Sequence, residues 1–295
     1  MTEPLTEYQR KIFTPTFIIS TLREQGLALR KSHGQNLLIN RDLAMRILDY
    51  AELSRSDSVL EIGPGLGTMT FFLAERVRQV AAVEVDRGFV RCLSRAVEEF
   101  EVRNIRLIHR DVLSLKFEDL LDTGLPNKVV SNFPYSVAIK AIITVAEHFP
   151  TVESVVGTVQ RELAERLTAQ PGSEGYSFVS VYLQYLMTPR ILERRIPPSS
   201  FFPSPEVESS IVILSRRGER LGLDRRTFHL VVKAGFSHRR QRLAKNLRAL
   251  YPAVSAREIE QVVAETLGGS GLRAEEVSVE GFVRLTEALG EYEIR

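Results

Sequence analysis

The chain has 295 residues, 44% hydrophobic and 26% charged, with a formal net charge of +2. That composition belongs to an ordinary globular protein, and the length allows one large domain plus a small satellite. No stretch approaches the roughly 18 apolar residues of a membrane span, Glu3 and Glu7 do not read as a secretory signal, and the lone Cys92 excludes an internal disulfide. A cytoplasmic location is expected. Cys92 itself reads as a small packed side chain.

Residues 1–30 show little periodicity. They are expected to form an N-terminal extension that orders on the body or on a partner. Lys31–Leu38 reads as a loop that Leu37, Leu38 and Ile39 dock on the core, and 41–53 as an amphipathic helix through Leu43, Ile47, Leu48 and Leu53. Val59, Leu60 and Ile62 form the short apolar run of a strand covered on both faces. Gly63, Gly65 and Gly67 then make a tight turn into a helix reaching about Arg78, with Thr68 or Thr70 as its cap.

Further strands are predicted at 80–85, 105–108, 128–132 and 154–159, with helices at 88–100 and 137–148. Helices follow at 161–169 and 178–187, around the loop Pro171–Gly175. Strands at 190–196 and 207–214 flank the proline-rich 197–205. No helix separates these last two strands, so one is expected to be antiparallel. This alternation predicts a Rossmann-like α/β fold with a mostly parallel seven-stranded sheet. From about 216 the strand pattern stops, and 225–295 reads as short helices. The expected organisation is an extension at 1–30, an α/β domain at 31–217 and a small all-helical domain at 218–295.

Charge is unevenly spread. Arg216–Arg248 holds 11 Lys and Arg against only Glu219 and Asp224, a net +9 in a chain totalling +2. Such a block points to a polyanionic partner or, more blandly, to a solvated helix face.

A glycine turn at the carboxyl end of a strand is where an open α/β sheet binds ligands. The dinucleotide fingerprint wants its third glycine one position later than Gly67, where Thr68 stands. The spacing G-x-G-x-G instead matches S-adenosylmethionine methyltransferases. Glu84, 21 residues after Gly63, ends the second strand, where a carboxylate can accept from both ribose hydroxyls of an adenosyl cofactor. Asp111 ends the third strand and can accept from the cofactor's adenine amine, or serve only as a cap.

Asn132-Phe133-Pro134-Tyr135 ends the fourth strand. An exocyclic adenine amine is a poor nucleophile because its lone pair is delocalised into the ring. The Asn132 side-chain oxygen and the Phe133 carbonyl can accept its hydrogens, Pro134 fixes the bend and Tyr135 offers a ring on which an extruded base stacks. The five histidines have no ligand spacing with Cys92, so no metal site is expected.

These motifs together resemble the KsgA/Dim-type small-subunit rRNA adenine dimethyltransferases, from about residue 28 to 290. The matching segments are Lys31–Leu38, Leu60–Thr70, Glu84–Asp86, Asp111–Leu113, Asn132–Tyr135, Gln160–Arg166, Ser180-Val181 with Gln184, Pro197–Val207 and Phe236–Arg240. The resemblance implies dimethylation of two adjacent adenosines near the 3′ end of small-subunit rRNA, linked to subunit assembly, with S-adenosylmethionine as cofactor. It implies that Asn36, Leu38, Gly63, Gly65, Glu84, Asp111 and Asn132 line the cofactor pocket. It gives Asn132, Pro134 and Tyr135 the target adenine, and Phe201 a second stacking surface. The basic block would grip rRNA phosphates, with Arg239, Arg240, Arg242, Lys245 and Arg248 as candidate contacts. A monomer is expected.

The sequence departs from the family pattern at His33, Leu37, Phe133, Ser136 and the turn Arg239-Arg240-Gln241-Arg242. Two rivals are a large-subunit rRNA dimethyltransferase of the macrolide-resistance type and a non-catalytic nucleic-acid-binding or assembly factor on the same fold.

Overall fold

In the computed structural model, which describes residues 3–29, 34–218 and 223–294, the chain opens with two helices. They are α1 (Glu3–Lys11) and α2 (Pro15–Glu24). Leu5, Ile12, Phe13, Ile18 and Leu22 are buried in the same apolar cluster as Leu43, Phe71 and Leu93. The extension is therefore part of the core rather than a tail awaiting a partner. Leu5, Tyr8 and Gln9 share one face of α1, and Ile12 just past its end continues the i, i+3, i+4, i+7 pattern of a docked helix. Within the loop expected at 31–38, Lys31, Ser32 and His33 lie outside the described residues.

The elements that build the site follow. They are β1 (Leu37–Leu38), α3 (Arg41–Tyr50), β2 (Ser58–Ile62), α4 (Thr70–Ala74), β3 (Gln79–Glu84), α5 (Arg87–Glu99), β4 (Ile105–His109) and β5 (Lys128–Asn132). Every residue of β2 is buried, as expected for a strand covered on both faces. Helix α4 is shorter than its predicted run to Arg78. Met69 holds its N-cap with no side-chain hydrogen bond, so neither Thr68 nor Thr70 caps it. Next come α6 (Ala138–His148), β6 (Ser154–Gln160), α7 (Arg161–Leu167), α8 (Phe178–Leu186), β7 (Met187–Ile196), β8 (Phe201–Phe202) and β9 (Ser209–Arg216).

One seven-stranded sheet runs in the order β4-β3-β2-β5-β6-β9-β7. β2 pairs in parallel with β3 and β5, β3 with β4, and β5 with β6. β9 runs antiparallel to β6, the antiparallel member expected among the last two strands. The carboxyl ends of β2, β3 and β5 therefore share one edge. A second, two-stranded sheet pairs Leu37 with Phe202 and Leu38 with Phe201, which short-range pattern did not reveal. Leu37, one of the departures from the family pattern, is buried in the core.

The remaining helices are α9 (Arg225–Gly235), α10 (Leu243–Leu247), α11 (Ala256–Leu267) and α12 (Val279–Leu289). The chain divides into two compact units, residues 1–164 with 190–216, and residues 165–189 with 217–295. This differs from a boundary at 217/218. The segment around α8 joins the helical unit because its partners lie there. Tyr185 stacks on Phe228 at 4.1 Å, the Tyr176 hydroxyl donates to the Val277 carbonyl at 2.9 Å, and the Gly172 amide donates to the Glu275 carbonyl at 2.7 Å. Among the described residues, no helix is long and apolar enough to cross a membrane.

Candidate active site

The turn after β2 is forced by its glycines. Gly63, Gly65 and Gly67 all have positive φ, the region only glycine adopts freely. Space demands them too. A Cβ on Gly63 would lie 2.8 Å from Pro134 Cγ, and one on Gly65 2.7 Å from Leu37 Cδ2. The turn is thus pressed against two of the segments that the sequence singled out. In front of it lies a cavity of about 380 Å³. Its walls include Asn36, Leu38, Gly63, Gly65, Glu84, Asp111, Asn132 and Pro134. All seven residues assigned to the cofactor are therefore together, although they come from β1, β3, β5 and three loops.

Three carboxylates face this region. Glu84 ends β3 and is buried. Its Oε1 accepts from the Val85 and Asp86 amides at 3.0 and 2.9 Å, and its Oε2 from the Gly65 amide at 3.2 Å. Burial raises its pKa, and the three amides work against that rise. A carboxylate offers about four acceptor sites, so one remains for a ligand while Glu84 also holds the glycine turn. Accepting from two ribose hydroxyls requires releasing one of these three amides. Asp111 serves as a cap, its Oδ1 accepting from the Leu113 amide at 2.9 Å. It lines the cavity as well, so the cap and ligand readings are compatible.

The third carboxylate, Glu61, was not singled out from sequence. It sits in the middle of the buried strand β2, 2% exposed, and lines the cavity. Its Oε2 has no hydrogen-bond partner. Desolvation pushes the Glu61 pKa up to about 8; the neighbouring Thr70 hydroxyl works against that rise and the Glu84 charge adds to it. A charged residue inside the run Val-Leu-Glu-Ile was the available signal, because apolar strands do not hide carboxylates without a use.

At the end of β5, Asn132 is fixed at both ends of its amide. Nδ2 donates to the Asn36 carbonyl at 2.7 Å. Oδ1 accepts from the Thr158 hydroxyl at 2.5 Å, across the Asn132–Thr158 register pair of β5 and β6. The donated Nδ2 bond settles which amide atom is the acceptor, and Oδ1 keeps one lone pair. Phe133 is buried, with the Gly157 backbone beneath it: a Cβ there would lie 2.9 Å from the Phe133 ring. That bare strand position accommodates the larger residue. The half-buried Tyr135 shares a short hydrogen bond with the Ser209 hydroxyl, and burial raises its pKa.

Phe201 departs from expectation. It is only 2% exposed, paired opposite Leu38 and packed in the core. As placed it offers no free face for stacking. It meets the Tyr135 ring edge-on at 6.3 Å instead, bracing it. An aromatic residue after a proline pair reveals its type but not its depth, which the β1–β8 pairing sets.

The family model described as ribosomal RNA adenine dimethylase matches residues 26–287. The chain belongs to the ribosomal RNA adenine dimethylase family. It is 33% identical to the Ribosomal RNA small subunit methyltransferase A of Streptococcus mutans, over 97% of this chain and all of the relative. Identity to the protein of the same name from Treponema denticola is 33%, over 94% of this chain and 95% of that one. Among solved structures, a dimethyladenosine transferase from Plasmodium falciparum superposes with a TM-score of 0.75 at 21% identity, covering 86% of this chain and 98% of its own. The 23S rRNA methyltransferase ErmE gives 0.65 at 28% identity, covering 86% and 100%.

A ribosomal RNA adenine dimethylase takes its methyl groups from S-adenosylmethionine. The residues present suit that molecule. The cavity volume lies within the ordinary range for small-ligand sites, roughly 300–1,000 Å³. The unpartnered Glu61 oxygen suits a ligand that carries positive charge and hydrogen-bond donors.

In the helical unit, the candidate rRNA contacts do not behave alike. Arg240, Arg242, Lys245 and Arg248 are exposed, with no acidic partner among the described residues. Arg239 is committed: its Nε donates to Glu275 at 2.6 Å and its Nη2 to the Glu174 carbonyl at 2.7 Å. Asn246, buried behind the turn, donates to the Gly235 and His238 carbonyls at 2.6 and 3.1 Å and holds its shape.

Proposed function

We propose that this enzyme dimethylates the exocyclic amines of two adjacent adenosines near the 3′ end of small-subunit rRNA, on the assembling subunit. The observation that carries the reading is the doubly held Asn132 amide at the cavity wall. An adenine amine gains nucleophilicity when acceptors draw on its hydrogens, and an acceptor helps most when it needs no reorganisation. Asn132 Oδ1, its orientation fixed by Asn36 and Thr158, is such an acceptor. The Phe133 carbonyl is the second, and the Tyr135 ring, braced by Phe201, carries the flipped base.

Glu84, Asp111 and Glu61 hold the cofactor, which supplies a methyl group on a positively charged sulfur. Transfer from a sulfonium needs no metal and no covalent enzyme intermediate, so positioning supplies most of the rate. The small-subunit target is supported by the names of the relatives that match almost end to end. The exposed basic side chains of 240–248 support a grip on rRNA phosphates. A monomer working in the cytoplasm is part of the same reading.

The deciding experiment incubates the protein with labelled S-adenosylmethionine and either purified under-methylated small subunits or large subunits, then maps the labelled base. Label on paired small-subunit adenines is expected. Label on the large subunit alone, or none on either, overturns the proposal.

A further inference from the structure

Helix α5 carries a basic face that the charge reading, centred on 216–248, did not single out. Arg87, Arg91 and Arg95 recur every four residues and are all exposed, opposite the buried Phe89, Leu93 and Ala96. Neither Arg87 nor Arg91 has an acidic partner among the described residues. Asp86, the nearest acid, accepts from the Gly88 and Phe89 amides at 2.7 and 3.4 Å as the helix cap. Arg95 donates to Gln25 Oε1, a neutral acceptor, at 2.9 Å.

Helix stability does not account for this arrangement. The macrodipole favours acids in the first turn and bases in the last. α5 has no acid in its first turn and no base in its last, where Glu98 and Glu99 stand. Its charges are ordered against the dipole. The pairs Arg87–Arg91 and Arg91–Arg95 also place like charges four apart, which destabilises a helix. The ladder stands in a part of the chain that is acidic overall, since the residues outside 216–248 sum to −7. It begins two residues after Val85, an exposed residue on the cavity wall. At 1.5 Å rise per residue it runs for about 12 Å in steps of about 6 Å.

We propose that the Arg87–Arg91–Arg95 face of α5 is a second RNA-contact surface, on the methyltransferase unit itself, gripping the phosphate backbone of the substrate RNA beside the cofactor cavity. This rests on the function proposed above. Contacts of this kind carry register and affinity but no base specificity.

The test uses the full chain with Arg87→Gln/Arg91→Gln and, in parallel, Arg87→Lys/Arg91→Lys. Binding to under-methylated small subunits is measured across a salt series, together with kcat, KM and affinity for S-adenosylmethionine. Losing two phosphate contacts lowers the slope of log affinity against log salt by roughly 1.4–1.8. The Gln pair is expected to show that change with a raised KM for subunits, unchanged cofactor affinity and an undiminished melting temperature. The Lys pair retains most of the binding. An unchanged slope and KM in the Gln pair overturns the proposal. So does an equal loss in the Lys pair, or a loss accompanied by weakened cofactor binding. Failure of the wild-type protein to methylate any subunit strikes instead at the proposed function.

Discussion

The end of β5 and the turn before α10 are both polar and both assigned to the same RNA, yet they are built on opposite principles. Around Asn132 the polar side chains are tied to partners: the amide at both ends, the Tyr135 hydroxyl on Ser209, the Ser131 hydroxyl on the Ile62 carbonyl at 2.6 Å. Around Arg240 the charges of Arg240, Arg242, Lys245 and Arg248 have no acidic partner among the described residues, and Asn246 holds the backbone beneath them. Chemistry on a weak nucleophile needs an acceptor already in place. A grip on a phosphate backbone needs charge that can adjust to the strand. On the proposed function, rigidity is concentrated where the amine reacts and freedom where the RNA is held.

The contrast breaks most sharply at Asn132. Asn132→Ala is expected to lower kcat for methyl transfer by roughly 10²–10³-fold, the cost of removing one preorganised partner of the reacting group, with a melting temperature lower by only a few degrees because the buried Thr158 hydroxyl loses its acceptor. Retention of wild-type kcat, measured on under-methylated small subunits, removes Asn132 from the chemistry.

Glu84→Ala comes next in size. It deletes a buried carboxylate that holds the glycine turn and has one acceptor site left over. Hydrogen bonds to a charged group are worth about 1.5–3 kcal/mol, so cofactor affinity by calorimetry is expected to fall about 10- to 150-fold with little effect on RNA binding.

On the adaptable side, Arg240→Gln/Arg242→Gln/Lys245→Gln is expected to flatten the salt dependence of subunit binding by about 2–3 in slope, at roughly 0.7–0.9 per phosphate contact. Cofactor affinity should stay constant. A loss of cofactor affinity in this variant erases the division of labour between the two regions.

The smallest effect sharpens the rigid side. Burial raises the folded-state pKa of Glu61 to about 8 from the ordinary 4.5. Between those values the folded state binds more protons than the unfolded one, so its contribution makes stability fall as pH rises through that window. Urea midpoints of the cofactor-free protein should carry that slope, and Glu61→Gln should flatten it. Identical pH profiles for the two proteins remove Glu61 as a buried titrating group.

Much of the site was readable because local rules govern it. Gly63, Gly65 and Gly67 have positive φ, and glycine is what such a turn requires. Glu84, Asp111 and Asn132 follow apolar runs, and parallel strands bring their ends to one edge. Glu61 was missed because its burial in β2 hid it among apolar neighbours, although its charge there was visible. The α1 face was missed because the helix is short and its apolar residues few. The depth of Phe201 was not readable, since it depends on a strand pairing with Leu38 across 163 residues of chain.

By itself the sequence determined the alternating α/β order, the mostly parallel sheet, the glycine turn and the residue types at three strand ends. Periodicity, backbone sterics and turn chemistry act over a few residues, and they leave their marks in order along the chain. Only the tertiary structure decided that residues 3–24 belong to the core, that 165–189 join the helical unit, that Arg239 is committed to Glu275 while Arg240 has no acidic partner among the described residues, and that Thr158 and Asn36 lock the Asn132 amide between them. Each of those depends on which distant groups meet, and burial and hydrogen-bond satisfaction are set by that meeting rather than by neighbours in sequence.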